Sequence, residues 1–113
     1  MIEQKGMWKN GQNKLLGDNA SVAVIHGQNM TVCKYVINKT VQVPAHIHDY
    51  EQSISVLKGE MELIVEGKRI TMRAGDVQFI LGNTMHAANI TKVPFETVET
   101  YSPVRSDIVI LAN

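Results

Sequence analysis

Pro44-Ala45-His46-Ile47-His48-Asp49-Tyr50-Glu51-Gln52, running on through Ser53-Ile54-Ser55-Val56-Leu57 to Lys58-Gly59, is the stretch on which the reading of this chain turns. It follows the β-branched run Thr40-Val41-Gln42-Val43 and places two of the four histidines one residue apart. Successive side chains of a strand alternate between faces, so His46 and His48 are expected to point the same way. Two imidazoles presented from one strand make part of a metal site, which a distant part of the chain must complete.

On either side of this stretch the pattern is short strand after short strand. Val22 to His26 and Met30 to Ile37 precede it, separated by the turn Gly27-Gln28-Asn29. After it, Ser53 to Leu57 is expected to end at a turn over Lys58-Gly59-Glu60. Met61 to Val65 and Ile70 to Met72 flank Glu66-Gly67-Lys68-Arg69, which reads as a tight hairpin. Val77 to Leu81 follows Ala74-Gly75-Asp76 and stops at Gly82-Asn83. His86 to Thr91 and Phe95 to Tyr101 read as two strands parted by Lys92-Val93-Pro94, and Ile108 to Leu111 as the last. No segment sustains a helical i, i+3, i+4 stripe, so the chain is expected to be all-β, a sandwich or barrel of about ten short strands.

The 113 residues suffice for one domain with a real core. Residues 1–20, rich in Asn, Gly and Lys and carrying Met7-Trp8, are expected to form an arm or edge strand, and residues 21–113 the barrel. Trp8 is the natural anchor for a second subunit, so a homodimer is expected. Eleven basic residues balance eleven acidic ones, which leaves no electrostatic footprint for nucleic acid or an anionic membrane. Cys33 is the lone cysteine, which excludes an internal disulfide and a Cys-x-x-Cys redox pair. The charged opening Met1-Ile2-Glu3-Gln4-Lys5 lacks the apolar core of a signal peptide, and no apolar run is long enough for a transmembrane helix. A cytoplasmic location is therefore expected.

The central stretch and a second one resemble the two motifs of the cupins. The first reads His46-x-His48-x3-Gln52-x6-Gly59, with glutamine in the slot where the family has glutamate and Thr40 where it has a leading glycine. The second reads Gly75-x5-Leu81-x-Asn83-x2-His86, with Leu81, Asn83 and Ile90 standing for the family's Pro, Gly and Asn. The resemblance covers roughly residues 40–90. It implies a single-domain double-stranded β-helix, the cupin jelly-roll barrel, holding one divalent transition metal (Zn, Ni, Fe or Mn) on His46, His48, Gln52 and His86.

In an unbroken strand Gln52 shares the parity of His46 and His48, whereas Glu51 faces away. A bulge at Asp49-Tyr50 would reverse that choice, so Glu51 stays the alternative ligand. His86 has the alternative of a hydrogen-bonded core histidine, and His26, outside both motifs, reads as a surface or hydrogen-bonding residue. Three imidazoles and an amide are all neutral, so an anionic ligand at the open position is expected.

Glu99-Thr100-Tyr101-Ser102-Pro103-Val104-Arg105 further resembles the acid-x-aromatic-Ser-Pro-x-Arg tail of small cupins of pectin and alginate degradation, which open the ring of 4,5-unsaturated uronates. By that resemblance Glu99 transfers a proton, Tyr101 forms an aromatic wall and Arg105 meets the substrate carboxylate. Phe95, Thr97, Glu99 and Tyr101 share one strand face, and arginine suits a two-point grip on a carboxylate. The alternative is that Glu99 and Arg105 are a solvated surface pair. The expected function is metal-dependent, non-oxidative chemistry on a small anionic substrate. An iron or nickel dioxygenase of the quercetinase type and a non-enzymatic ligand-binding cupin are the alternatives.

Overall fold

Thr31–Ile37 shows the alternation on which the molecule is built: in a computed structural model, which describes residues 6–111, Thr31, Cys33, Tyr35 and Ile37 are buried and the residues between them are not. The opening Met1 to Lys5, where no signal peptide was expected, lies outside the described residues, as do residues 112–113. Among the described residues nine strands follow one another: β1 (Lys9–Gln12), β2 (Ser21–His26), β3 (Thr31–Ile37), β4 (Gln42–His46), β5 (Glu51–Val65), β6 (Lys68–Arg73), β7 (Val77–Ile80), β8 (His86–Ser102) and β9 (Val109–Ile110). A short 3₁₀ turn at Gly17–Asn19 is the one helical element among the described residues. The all-β jelly-roll barrel expected from the sequence is the fold observed.

Two expected turns are not turns. β5 runs for 15 residues straight through Lys58-Gly59-Glu60, and β8 for 17 through Lys92-Val93-Pro94. Both bend at those points, and their pairing slips in register between Val56 and Met61. The bend is possible because Gly59 has φ +79, and a Cβ there would collide with the Lys92 carbonyl oxygen. Glycine and proline there mark a bend rather than the expected turn, because pairing of the two strands along both halves carries the ladder across it. The hairpin at Glu66-Gly67 is as expected, with both residues at positive φ, the requirement of a type I′ turn.

β8 is the organising strand. One side pairs with β5 along its whole length; the other pairs with β4 in its first half and with β3 in its second. Folding at the bends brings the two halves of β5 and β8 face to face, so their inward residues enclose one interior. Ile37, Ile54, Val56, Met61, Leu63, Met72, Ile80 and Phe95 form its apolar plug. A smaller cluster containing Val24, Cys33, Tyr35 and Tyr101 lies toward the other layer. Part of the expected arm is integral to the sheet, because β1 pairs with both β2 and β9.

Candidate metal centre

His46 ends β4, His48 lies in the link to β5, and His86 opens β8 directly opposite His46 in the ladder. The unbroken strand expected across His46 to Gln52 is therefore interrupted: Ile47 to Tyr50 leave the sheet, and β5 begins at Glu51. A ladder irregularity between Val43 and His46 and the bond from the Asn83 N–H to the His48 carbonyl steer the link over the barrel mouth. Gln52 nevertheless faces inward at 7% exposure, while Glu51 is exposed. Parity within β5 itself settles this, since Gln52, Ile54 and Val56 bury one face.

One ligand atom from each of His46, His48 and His86 lies within 4.8 Å of the others. Their Nδ1 atoms sit 2.8, 3.1 and 2.9 Å from the carbonyl oxygens of Pro44, Tyr50 and Thr84. A carbonyl only accepts, so each Nδ1 carries a proton, and in the neutral ring the lone pair is then on Nε2. Such outer hydrogen bonds are how proteins orient imidazoles for a metal. His48 Nε2 lies 3.2 Å from His86 Nε2 and 3.1 Å from Gln52 Oε1. Burial pushes the His48 imidazole below its ordinary pKa and takes His86 down to about 4, so both are neutral near pH 7. Three imidazole nitrogens and an amide oxygen turned toward one another fit a transition-metal ion.

Gln52 is held by Glu99. Its Nε2 donates to Glu99 Oε1 at 2.7 Å, and a carboxylate has nothing to offer the amide oxygen, so Oε1 must face the histidines. The contact follows from register: Gln52 pairs with Tyr101 across β5 and β8, which makes Glu99 its diagonal neighbour on the same face. Thr97 Oγ1 donates to Glu99 Oε2 at 2.8 Å and the Tyr101 hydroxyl to Oε1 at 3.1 Å. Burial pushes the Glu99 carboxyl above its usual pKa, opposed by these three donors. Glu99 lines the internal cavity.

Behind Glu99 runs a directed chain. Tyr101 donates to Glu99, so the 2.8 Å contact between the Tyr35 and Tyr101 hydroxyls has Tyr35 as donor, and Tyr35 in turn accepts from Asn13 Nδ2 at 2.9 Å. Burial raises both phenols far above their usual pKa. Arg105 lies against two aromatic rings, 4.3 Å from the Tyr50 centroid and 4.7 Å from that of Tyr101. Its Nε and Nη2 donate to the two Asp107 oxygens at 3.2 and 2.6 Å. Burial opposes the guanidinium's charge, but Asp107 and the phenols outweigh it and keep Arg105 charged. The Arg105 side chain is only 10% exposed and pairs with Asp107, so the alternative of a solvated surface pair between Glu99 and Arg105 is not what forms.

His46, Gln52, His86, Glu99, Tyr101 and Arg105 line one cavity of about 70 Å³. All seven residues expected at the site thus gather at one end of the barrel. His26 takes the hydrogen-bonding role, bridging Thr31 Oγ1 and the Ile108 carbonyl. The sequence assigns no role to Tyr50, Tyr35, Asn13 or Asp107. Tyr50, stacked on His48 at 3.7 Å, continues the series 46, 48, 50, 52 and was legible there. Nothing in the sequence singled out Asn13.

The family model for the cupin domain matches residues 35–101. The pectin degradation protein KdgF of Dickeya dadantii is 28% identical over 95 residues, spanning 81% of this chain and 86% of that protein. The structure of KdgF from a Halomonas species superimposes with a TM-score of 0.77 at 20% identity, covering 87% of this chain and 89% of that one. An RmlC-like cupin from Shewanella frigidimarina superimposes with a TM-score of 0.73 at 21% identity, over 95% and 92% of the two chains.

Proposed function

The chain belongs to the cupin family, and from that premise we propose that it is a metal-dependent enzyme opening, without oxidation, the ring of a 4,5-unsaturated uronate. The observation that carries the reading is that one cavity is lined by His46, Gln52 and His86 of the neutral donor set together with the acid Glu99 and the charged Arg105. The pectin degradation named for the Dickeya relative supports an acidic sugar as substrate.

In this reading Arg105 takes the substrate carboxylate. Asp107 occupies the Nε and Nη2 edge, and the rings of Tyr50 and Tyr101 fix the guanidinium plane, so the Nη1 side is presented ready-oriented. Glu99 carries the proton. Its Oε1 serves Gln52 and Tyr101, while Oε2 accepts one bond from Thr97 and keeps capacity for a substrate proton. A carboxyl raised by burial is suited to alternate between donor and acceptor. Tyr101 and the plug exclude water. A divalent metal bound by His46, His48, Gln52 and His86 would supply Lewis-acid polarisation of the substrate oxygen.

The test is to incubate metal-loaded protein with a 4,5-unsaturated uronate and follow ring opening by NMR. Acceleration over the spontaneous rate, lost in Glu99→Gln, is expected. A rate equal to the spontaneous one, or unchanged in Glu99→Gln, overturns the proposal. A homodimer through Trp8, which is 48% exposed, belongs to the same reading, and light scattering on Trp8→Ala checks it.

A further inference from the structure

A site built from three imidazoles and an amide leaves a divalent ion's charge unmatched, yet a carboxylate lies directly behind the amide. Gln52 Nε2 and Glu99 Oε1 are 2.7 Å apart, in the range of a charge-assisted hydrogen bond. Glu99 accepts from three donors, Gln52, Thr97 and Tyr101, an arrangement that matches the acceptor-only ionised form. No lysine or arginine forms an ion pair with it among the described residues. One of its three hydrogen bonds is to the Gln52 amide, and pull on that N–H builds negative charge on Gln52 Oε1, the atom 3.1 Å from His48 Nε2.

We infer that Gln52 and Glu99 act together as one divided anionic ligand: Gln52 contributes the oxygen that meets the metal, and Glu99 contributes the charge from one hydrogen bond further out. Glutamine in the first cupin motif is on this account not a loss of charge but its displacement outward by a diagonal step between β5 and β8. Glu99 is thereby a positioning and polarising residue toward the metal, in addition to any proton it moves. The inference rests on the metal-centre reading and not on the substrate, so it stands or falls apart from the ring-opening assay.

The experiment is calorimetric titration of metal-free protein with Zn²⁺ alone, in wild type, E99Q and the exchange Q52E/E99Q. Glu99→Gln conserves shape and removes the charge, so Zn²⁺ should bind about 10–100-fold more weakly, the usual cost of losing an outer partner. The exchange restores a carboxylate and an amide in contact, now with the charge on the inner residue, and should recover most of the lost affinity. Thermal melts of the metal-free variants establish that each is folded. If E99Q does not fold, the exchange variant compared directly with wild type carries the same comparison. Zn²⁺ binding to E99Q as tight as wild type, an exchange variant no tighter than E99Q, or a wild type that binds no Zn²⁺ overturns the inference.

Discussion

The interior of this barrel has two linings built on the same strands and held by opposite rules. Along β5, Gln52 belongs to the polar end, whereas Val56, Met61 and Leu63 belong to the plug. In the plug, shape decides: side chains such as Leu63 and Phe95 are at most 2% exposed and have no partner to satisfy. At the polar end, pairing decides. Histidine, glutamine, glutamate and two tyrosines share one small cavity, and among the described residues no buried side-chain nitrogen or oxygen lacks a hydrogen-bond partner. Alternation can place a side chain inside, but only a complete set of partners makes a polar one tolerable there.

The comparison breaks most visibly by crossing a substitution from each end with a readout from the other. His86→Ala should weaken Zn²⁺ binding by more than the roughly 10–100-fold of an outer partner, because a donor atom itself is lost. Leu63→Ala should leave Zn²⁺ affinity near wild type and lower unfolding free energy by about 2–5 kcal/mol, measured by urea denaturation. Comparable losses in both readouts for either variant would mean that the two ends are one energetic unit.

The bend that joins the two ends gives a smaller effect. Gly59→Ala forces a side chain into positive φ, which costs about 1–2 kcal/mol, and also into the Lys92 and Pro94 carbonyls. Gly67→Ala meets the same φ penalty with open space around it, at φ +80. Urea denaturation should therefore show Gly59→Ala as clearly the more destabilised. Equal losses would show that the bend gives way freely.

The smallest effect is in pH. His86 titrates at about 4 in the folded protein and near 6.5 when unfolded. Between those values the unfolded chain binds the proton that the native site refuses, so stability of the metal-free protein falls as pH drops from about 6.5 toward 4. His48, also lowered by burial, adds to the slope. Glu99, raised by burial, acts with the opposite sign and offsets part of the loss. His86→Asn should flatten the dependence of the urea midpoint on pH, and an unchanged slope would remove His86 from the account.

The residues and their alternation determined a great deal without any coordinates. Strand class, the preference for Gln52 over Glu51, and the shared face of Phe95, Thr97, Glu99 and Tyr101 follow from the two-residue period, which each strand carries in itself; the set of three histidines followed from the spacing of the two cupin-like motifs. Tertiary structure decided what depends on pairing between distant segments. Lys58-Gly59-Glu60 and Lys92-Val93-Pro94 look like turns because glycine and proline mark a change of direction, yet each is a bend within a strand, since the partner strand supplies hydrogen bonds on both sides of it. The break after His46 was hidden by a parity that β5 re-establishes on its own. The bond between Gln52 and Glu99 depends on a diagonal register between residues 47 positions apart, and that of Asn13 on Tyr35 bridges 22. No local pattern encodes such offsets, because register is set by packing of the whole barrel rather than by the strand that carries the residue.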